Sequence, residues 1–456
     1  MTSREPPQAP QKSLRLRAFR AGAWTLAGHF SNLLLRFVGT IILTRIFAPD
    51  AFGVLTVVMA VQVILALLTD IGLRQAVIQS PNGEAFELLS TAFTLQIFRG
   101  FFIWGLGGVF ALGVSIASAK QWLPVHSAYG DPDLPTYLVV ACASAAILGF
   151  QSMKVARAIR RVEIKPILLI ELLSQFLSLA FIVVVGWLTV SLWSYIFGQL
   201  VAALVVVVSS HLVLKGPADR LGWNGVSAKE LFRFGRWTFL SSTLSALATN
   251  GDRLLLGAWL SSQVLGFYSI AYNLASVPEG LANRVFGAVA FPALSEAARA
   301  RVERVPEIYF RMRWITDLGL LGLSGILFAG GPAIVGLLYD PRYASAGWML
   351  QYLSLGLVFS RYAISQQAFL ALGRPEYLSA LSASKLVSLF LFMFLGFSFF
   401  GVEGAVLGVA THLLPNSILM FYFSSKHNLN SIRLEVGVLV AWWAGWLIGL
   451  GIERFV

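Results

Sequence analysis

From residue 21 almost to its end the chain alternates long apolar runs with short polar connections. A hydrocarbon layer about 30 Å thick needs roughly 20 residues of helix to cross it. On that measure apolar segments fall near 21–47, 52–77, 88–116, 134–156, 166–188 and 190–214. A second set falls near 235–260, 263–292, 314–339, 344–371, 376–399 and 401–424. A shorter run, Val436–Ile452, is a candidate thirteenth. Lipid offers backbone groups no partner, so such segments satisfy them internally as helices. The pattern predicts an all-α polytopic membrane protein with 12 transmembrane helices, and room for 13 or 14.

Grouping follows the same pattern. A tail at 1–20 precedes a six-helix bundle at 21–214, and the linker 215–234 leads to a second bundle at 235–424. The linker pieces LGW and ELFRF suit an amphipathic stretch lying at the membrane interface. Residues 425–456 form a C-terminal tail with the extra run inside it. Leu43–Leu55 (LTRIFAPDAFGVL) overlays Leu256–Tyr268 (LGAWLSSQVLGFY) without gaps, each ending a span and opening the next on an apolar–Gly pair. Internal repeats of this kind are common in transporters.

Composition excludes a water-soluble globule. Only 12% of residues are charged and 57% are hydrophobic, with a mean hydropathy of +0.75. Soluble domains carry roughly a quarter charged residues. The net charge of +12 would suit nucleic acid in a soluble protein. Here the basic residues cluster between apolar segments, so membrane orientation explains them and nucleic acid is not an expected partner. With the N-terminus inside, 24 Lys and Arg fall on inner segments and only Arg45, Lys120, Arg342 and Arg454 on outer ones. The inner set includes Arg74, Lys154, Arg157, Arg160, Arg161 and Arg313. That asymmetry predicts a multi-pass protein of a bacterial inner membrane with a cytoplasmic N-terminus. The apolar stretch after the tail is too long for a cleaved signal peptide. The single cysteine, Cys142, rules out an internal disulfide or thiolate metal cluster.

Candidate chemistry lies inside the spans. Arg36, Arg99, Arg253, Arg284, Arg361 and Lys385 all fall there. A charge at the bilayer centre costs at least ~2.5–3.5 kcal/mol on insertion scales, so such residues face a water-filled cavity or a partner. Arg253 and Arg284 are near enough to helix ends to snorkel. Thr25, His29, Asn32, Arg36 and Thr40 make one polar stripe on the first span. Ser242, Ser245, Thr249 and Asp252 make another on the seventh, and Tyr272, Ser276, Glu279 and Asn283 a third on the eighth. Asp70 is placed to pair with Arg74, and Glu279, after Pro278, either pairs with Arg284 or binds an ion. Glu171 and Asp317 read as ordinary residues near the inner face. A cationic cavity attracts an anion, and arginine forks match phosphate oxygens bidentately. The expected substrate bears phosphate or pyrophosphate.

The segments LTRIFAPDAFGVL, LTDIGLRQAVIQSP, NGDRLLLGAWLSSQVLGFYSIAYNLASVPEGL and VAFPALSEAARAR resemble bacterial oligosaccharide flippases of the polysaccharide-transporter (Wzx-like) type, over roughly 15–425. That family sits in the multidrug/oligosaccharidyl-lipid/polysaccharide (MOP) exporter superfamily. The resemblance implies two six-helix bundles in a V shape and alternating access. It implies a flippase, not an enzyme, acting on an undecaprenyl-pyrophosphate-linked oligosaccharide for exopolysaccharide, O-antigen or capsule assembly. Arg36, Arg99, Arg253, Arg284, Arg361 and Lys385 would supply the cationic cavity, with His29 and Asn32 beside them. The resemblance suggests coupling to H⁺ or Na⁺, without any other cofactor, but does not fix its residues; the intramembrane acids Asp70, Asp252 and Glu279 are the candidates this sequence offers. Membrane lipids and polysaccharide polymerase or export machinery are the implied partners. A multidrug exporter would share the architecture, but six basic intramembrane residues would repel cationic drugs. A membrane glycosyltransferase or ligase needs positioned carboxylates. The outer loops offer only Asp131 and Asp133, beside Pro132 and Pro135, which read as a turn.

Overall fold

A computed structural model describes residues 11–124 and 126–455, and no strand occurs among them. The helices are α1 (Gln11–Ile46), α2 (Pro49–Leu68), α3 (Leu73–Gln79), α4 (Phe86–Ala119), α5 (Leu134–Gly149), α6 (Lys154–Arg160), α7 (Ile164–Thr189) and α8 (Trp193–Val213). They continue with α9 (Gly225–Trp259), α10 (Ser262–Val285), α11 (Phe291–Ala300), α12 (Val305–Leu338), α13 (Ala346–Ser354), α14 (Gly356–Ser360) and α15 (Ile364–Ala371). The last are α16 (Glu376–Thr411), α17 (Leu413–Ser425), α18 (Ile432–Gly437) and α19 (Leu439–Phe455). Residues 1–10 of the expected tail lie outside the described residues, as do the side chains of Lys12, Arg15, Arg17, Arg20, Thr25 and Arg236. The rest of that tail is already helix, because α1 begins at Gln11.

Most of each expected apolar segment falls on helix, though the expected span 52–77 ends as α2 at Leu68 and resumes as α3 at Leu73. Among the described residues eight helices are long and apolar enough to cross a membrane, or nine if the pair α5 and α6, bent by 64°, is one span. The polar stripes keep α9 and α10 below that apolar threshold. The expected span 344–371 is instead a chain of short helices, α13, α14 and α15, with a 3-10 turn at Arg361–Ala363. Conversely, the expected spans 376–399 and 401–424 share one continuous stretch that turns at Gly401 (φ 59°, ψ −137°), a left-handed conformation open to glycine. Close contacts of Gly396 with Gly404 and Gly408 with Phe392, and the Ser388 hydroxyl donating to the His412 carbonyl at 2.7 Å, show the two arms antiparallel.

Two compact units emerge. The first comprises Met1–Phe47, Val61–Ile116 and Pro132–Thr243. In it α1 and α7 run parallel, with Gly28 against Leu168 and Gly39 against Leu179. Helices α7 and α8 form a hairpin in which the Ser178 hydroxyl donates to the Gly198 carbonyl at 2.7 Å. Helix α4 packs antiparallel on α5, with Ile97 against Gly149, Gly100 against Ala146 and Gly107 against Cys142. Arg160 donates to the Val77 and Ile78 carbonyls at the end of α3, where a cation offsets the helix dipole. The linker docks on α4 through Thr94 donating to the Gly222 carbonyl at 3.0 Å. It ends earlier than expected, because α9 starts at Gly225 and buries Leu231. Leu221, Trp223 and Val226 remain exposed, as interfacial anchors do.

The second unit comprises Ala48–Ala60, Ala117–Asp131 and Leu244–Val456. It contains both copies of the weak sequence repeat from their turns onward, and they touch reciprocally. A Cβ on Gly53 would lie 1.8 Å from the Ser262 carbonyl oxygen, and one on Gly266 would lie 2.0 Å from that of Pro49. Residues 49 and 53 are the repeat counterparts of 262 and 266. Contact of i with j and j with i is the signature of a local two-fold relation. Only glycine permits backbones this close.

Candidate functional site

Within the second unit, two of the polar stripes meet at one cavity of about 210 Å³. Helix α9 contributes Thr249 and Asp252, and α10 contributes Tyr272, Ser276, Glu279 and Asn283. Lys385 of α16 and His412, at the junction with α17, complete its polar lining. Pro278 lies within α10 one residue before Glu279, where it removes a backbone donor.

The charged groups here are unequally satisfied. Asp252 is 3% exposed, and its Oδ2 accepts the Tyr268 hydroxyl at 2.5 Å. Its Oδ1 is buried with no hydrogen-bond partner among the described residues. His412 donates from Nδ1 to the Val409 carbonyl at 2.5 Å, and its buried Nε2 has no hydrogen-bond partner among the described residues. Arg253 donates to Asn250 Oδ1 at 2.8 Å and lies over the Tyr272 ring, 4.6 Å from its centroid. Among the described residues no carboxylate oxygen lies within 4.0 Å of Lys385, Arg284 or Arg36. The cavity therefore joins two carboxylic residues, a lysine and a histidine, groups able to exchange a proton or receive a charged ligand.

Arg361 occupies a different environment. Rather than facing a cavity it is 5% exposed, at the break between α14 and α15. Its Nη1 lies 3.2 Å from Asp317 Oδ2 and its Nη2 lies 2.8 Å from Glu435 Oε2. Arg313 joins the same carboxylates, with Nε 3.2 Å from Asp317 and Nη2 on Glu435 Oε1. Tyr362 donates to Glu435 at 2.7 Å and stacks under both guanidinium groups. Two residues therefore differ from their expected places. Arg313 is buried rather than on an inner loop, and Asp317 is fully buried at the centre of a four-charge network. Sequence reasoning overlooked Glu435, which lies in the tail; its signal was an acidic residue at the mouth of an apolar run.

In the first unit Arg99 closes the end of α2. It donates to the Ala66 carbonyl at 2.6 Å and lies 3.7 Å from Asp70 Oδ1, which also accepts the Gly72 amide. Asp70 thus pairs with Arg99, while Arg74 donates to Gln151 at 2.9 Å. Glu279 and Arg284 do not form an ion pair within 4.0 Å. On α1, His29 and Asn32 are half-buried and Arg36 is exposed, close to the middle of the apolar stretch Ala27–Ile46.

Comparison with known proteins follows the same lines. The family described as "Polysaccharide biosynthesis protein" matches residues 42–346. The chain is similar to the lipopolysaccharide biosynthesis protein WzxC of Escherichia coli (strain K12), 23% identical over 421 residues, covering 92% of this chain and 83% of that protein. It is similar also to the succinoglycan biosynthesis transport protein ExoT of Rhizobium meliloti, 22% identical over 334 residues, covering 73% of this chain and 64% of that one. In fold it resembles the lipid II flippase MurJ in an inward closed conformation, with TM-score 0.67, 13% identity, and 95% and 98% of the two chains covered. An inward-facing multidrug resistance MATE transporter of the MOP superfamily gives TM-score 0.64 at 14% identity, with 93% and 96% covered. These last two likenesses concern the fold alone.

Proposed function

We propose that this chain, which belongs to the polysaccharide biosynthesis protein family, flips an undecaprenyl-pyrophosphate-linked oligosaccharide across a bacterial inner membrane by alternating access. The observation that carries the reading is a set of intramembrane cations with no carboxylate oxygen within 4.0 Å among the described residues: Arg36 on α1, Arg284 near the end of α10, and Lys385, which shares its cavity with Asp252 and Glu279. An exposed arginine at mid-span is tolerable only where water reaches it. Such cations favour a diphosphate anchor over a cationic drug. The cavity, about 210 Å³, is below the roughly 300 Å³ at which pockets for drug-sized ligands begin, so it suits a charged group rather than the sugar chain.

In this reading the N-terminus is cytoplasmic, and the lipid tail stays in the bilayer while the sugar crosses. Asp252 and Glu279 are the coupling acids for H⁺ or Na⁺, because Asp70 is already held by Arg99 and the Gly72 amide. Arg253, over the Tyr272 ring, supports the cavity wall, Arg99 caps the end of α2 in the first unit, His29 and Asn32 extend the polar face of α1, and Arg361 is structural. Polymerase or export proteins would dock on the basic connections. Catalysis is not part of the reading.

Complementation tests it. A strain lacking the gene should accumulate lipid-linked oligosaccharide on the inner leaflet and recover surface polysaccharide with the wild-type gene but not with Arg36→Ala or Lys385→Ala. Normal surface polysaccharide combined with raised sensitivity to cationic dyes would favour drug export instead.

A further inference from the structure

We infer that α19 is a fixed transmembrane member of the second unit, with Glu435 as the counter-charge for two buried arginines, and that α19 finishes on the same face as the α12–α13 turn. Three observations support this, none resting on the transported substrate. The first is charge balance. Arg313 and Arg361 carry two positive charges in a site where their side chains are 1% and 6% exposed. Asp317 supplies one negative charge and Glu435 the second. Without Glu435 the buried cluster would hold an uncompensated positive charge, which is strongly unfavourable away from water.

The second observation is a seam of glycines. Gly445 and Gly449 form a small-xxx-small pair, the motif that lets helices approach closely in lipid. A Cβ on Gly445 would lie 2.0 Å from the Gly322 carbonyl, and one on Gly325 would lie 2.1 Å from that of Trp442. Gly449 meets Ile326, Ala329 and Gly330. Trp442 Nε1 donates to the Ser324 hydroxyl at 3.3 Å, which in turn donates to the Ser354 carbonyl at 2.9 Å.

Direction is the third. Along α12 the contacts advance from Gly322 to Gly330 as they advance along α19 from Trp442 to Gly449, so the two helices are parallel. The apolar stretch Ile432–Phe455 has 24 residues, about 36 Å at 1.5 Å per residue, enough to cross a 30 Å core. A helix lying flat at the interface could not keep this register. Phe455 therefore emerges toward the face at which α12 ends, and Glu435 lies level with Arg313 in the first third of α12.

Two measurements on the full-length protein test the inference. Single cysteines at Arg301, Ala344, Lys426 and Arg454, with Cys142→Ala, are probed by a membrane-impermeant maleimide in intact and permeabilised cells. Native Cys142 is buried, so the same set is repeated with it retained. Arg454→Cys should label like Ala344→Cys and opposite to Arg301→Cys and Lys426→Cys. Labelling of Arg454→Cys in step with Lys426→Cys would overturn the inference. In the second measurement, Glu435→Gln should lower Tm in detergent by on the order of 5 °C or more. Adding Arg313→Gln restores charge balance and should recover part of that loss. A double variant that falls by the sum of the single effects would remove Glu435 as a counter-charge.

Discussion

Replacing Arg361 with glutamine tests how the buried charges are used. The substitution removes one of four balanced charges and leaves Asp317 and Glu435 sharing Arg313 alone. It deletes the contacts at 3.2 Å to Asp317 and 2.8 Å to Glu435, and the 3.1 Å bond to the Val358 carbonyl. Asp317 Oδ1 already lacks a hydrogen-bond partner. Breaking a buried pair by removing one member costs about 3–5 kcal/mol. At roughly 2–4 °C per kcal/mol for a domain of 150–250 residues, Tm should fall by about 10 °C. Heating detergent-solubilised fluorescent fusions and reading the surviving monodisperse peak by size exclusion measures this directly. A variant with unchanged Tm and abolished transport would refute the structural assignment and return Arg361 to the substrate path.

Further outcomes follow from the other sites. Arg36→Ala, with no carboxylate within 4.0 Å of the wild-type side chain, should leave Tm unchanged while transport falls at least tenfold. Gly53→Ala should destabilise by about 1–3 kcal/mol, since a Cβ there meets backbone at 1.8 Å, whereas Gly113→Ala, with nothing within 4 Å, should be neutral in a thermal-shift assay. Hydrogen bonds from Arg161 hold the Glu84 carboxyl below its ordinary range. A depressed folded-state value adds stability above the unfolded pKa of roughly 4.3 and loses it as pH falls through the folded value. Wild type should thus exceed Glu84→Gln slightly at pH 7, and the gap should close in acid.

The membrane fold was legible because lipid enforces one rule on every segment: backbone groups pair within the helix or not at all. The same rule explains what the sequence concealed. The expected tenth span is broken at Arg361, and the buried guanidinium there is satisfied by Asp317, Glu435 and Tyr362, none of which is near in sequence except Tyr362. The polar stripes of α9 and α10 were visible from spacing alone and do line one cavity. Lys385 was visible as a charge, yet its place among Asp252 and His412 depends on how α16 folds back at Gly401. Arg361 and Arg36 look alike in a hydropathy pattern. They differ only in whether a carboxylate from a distant helix reaches them.

The central claim is transport of a pyrophosphate-anchored sugar. Its most direct test is flipping in proteoliposomes, using a fluorescent lipid-diphosphate oligosaccharide and a membrane-impermeant quencher. The account predicts that wild-type protein makes the inner-leaflet pool accessible, that Lys385→Ala and Arg36→Ala do so far more slowly, and that a neutral lipid-linked sugar is not moved. Equal flipping of the neutral lipid, or none of the diphosphate lipid beside export of a cationic dye from the same vesicles, would contradict it.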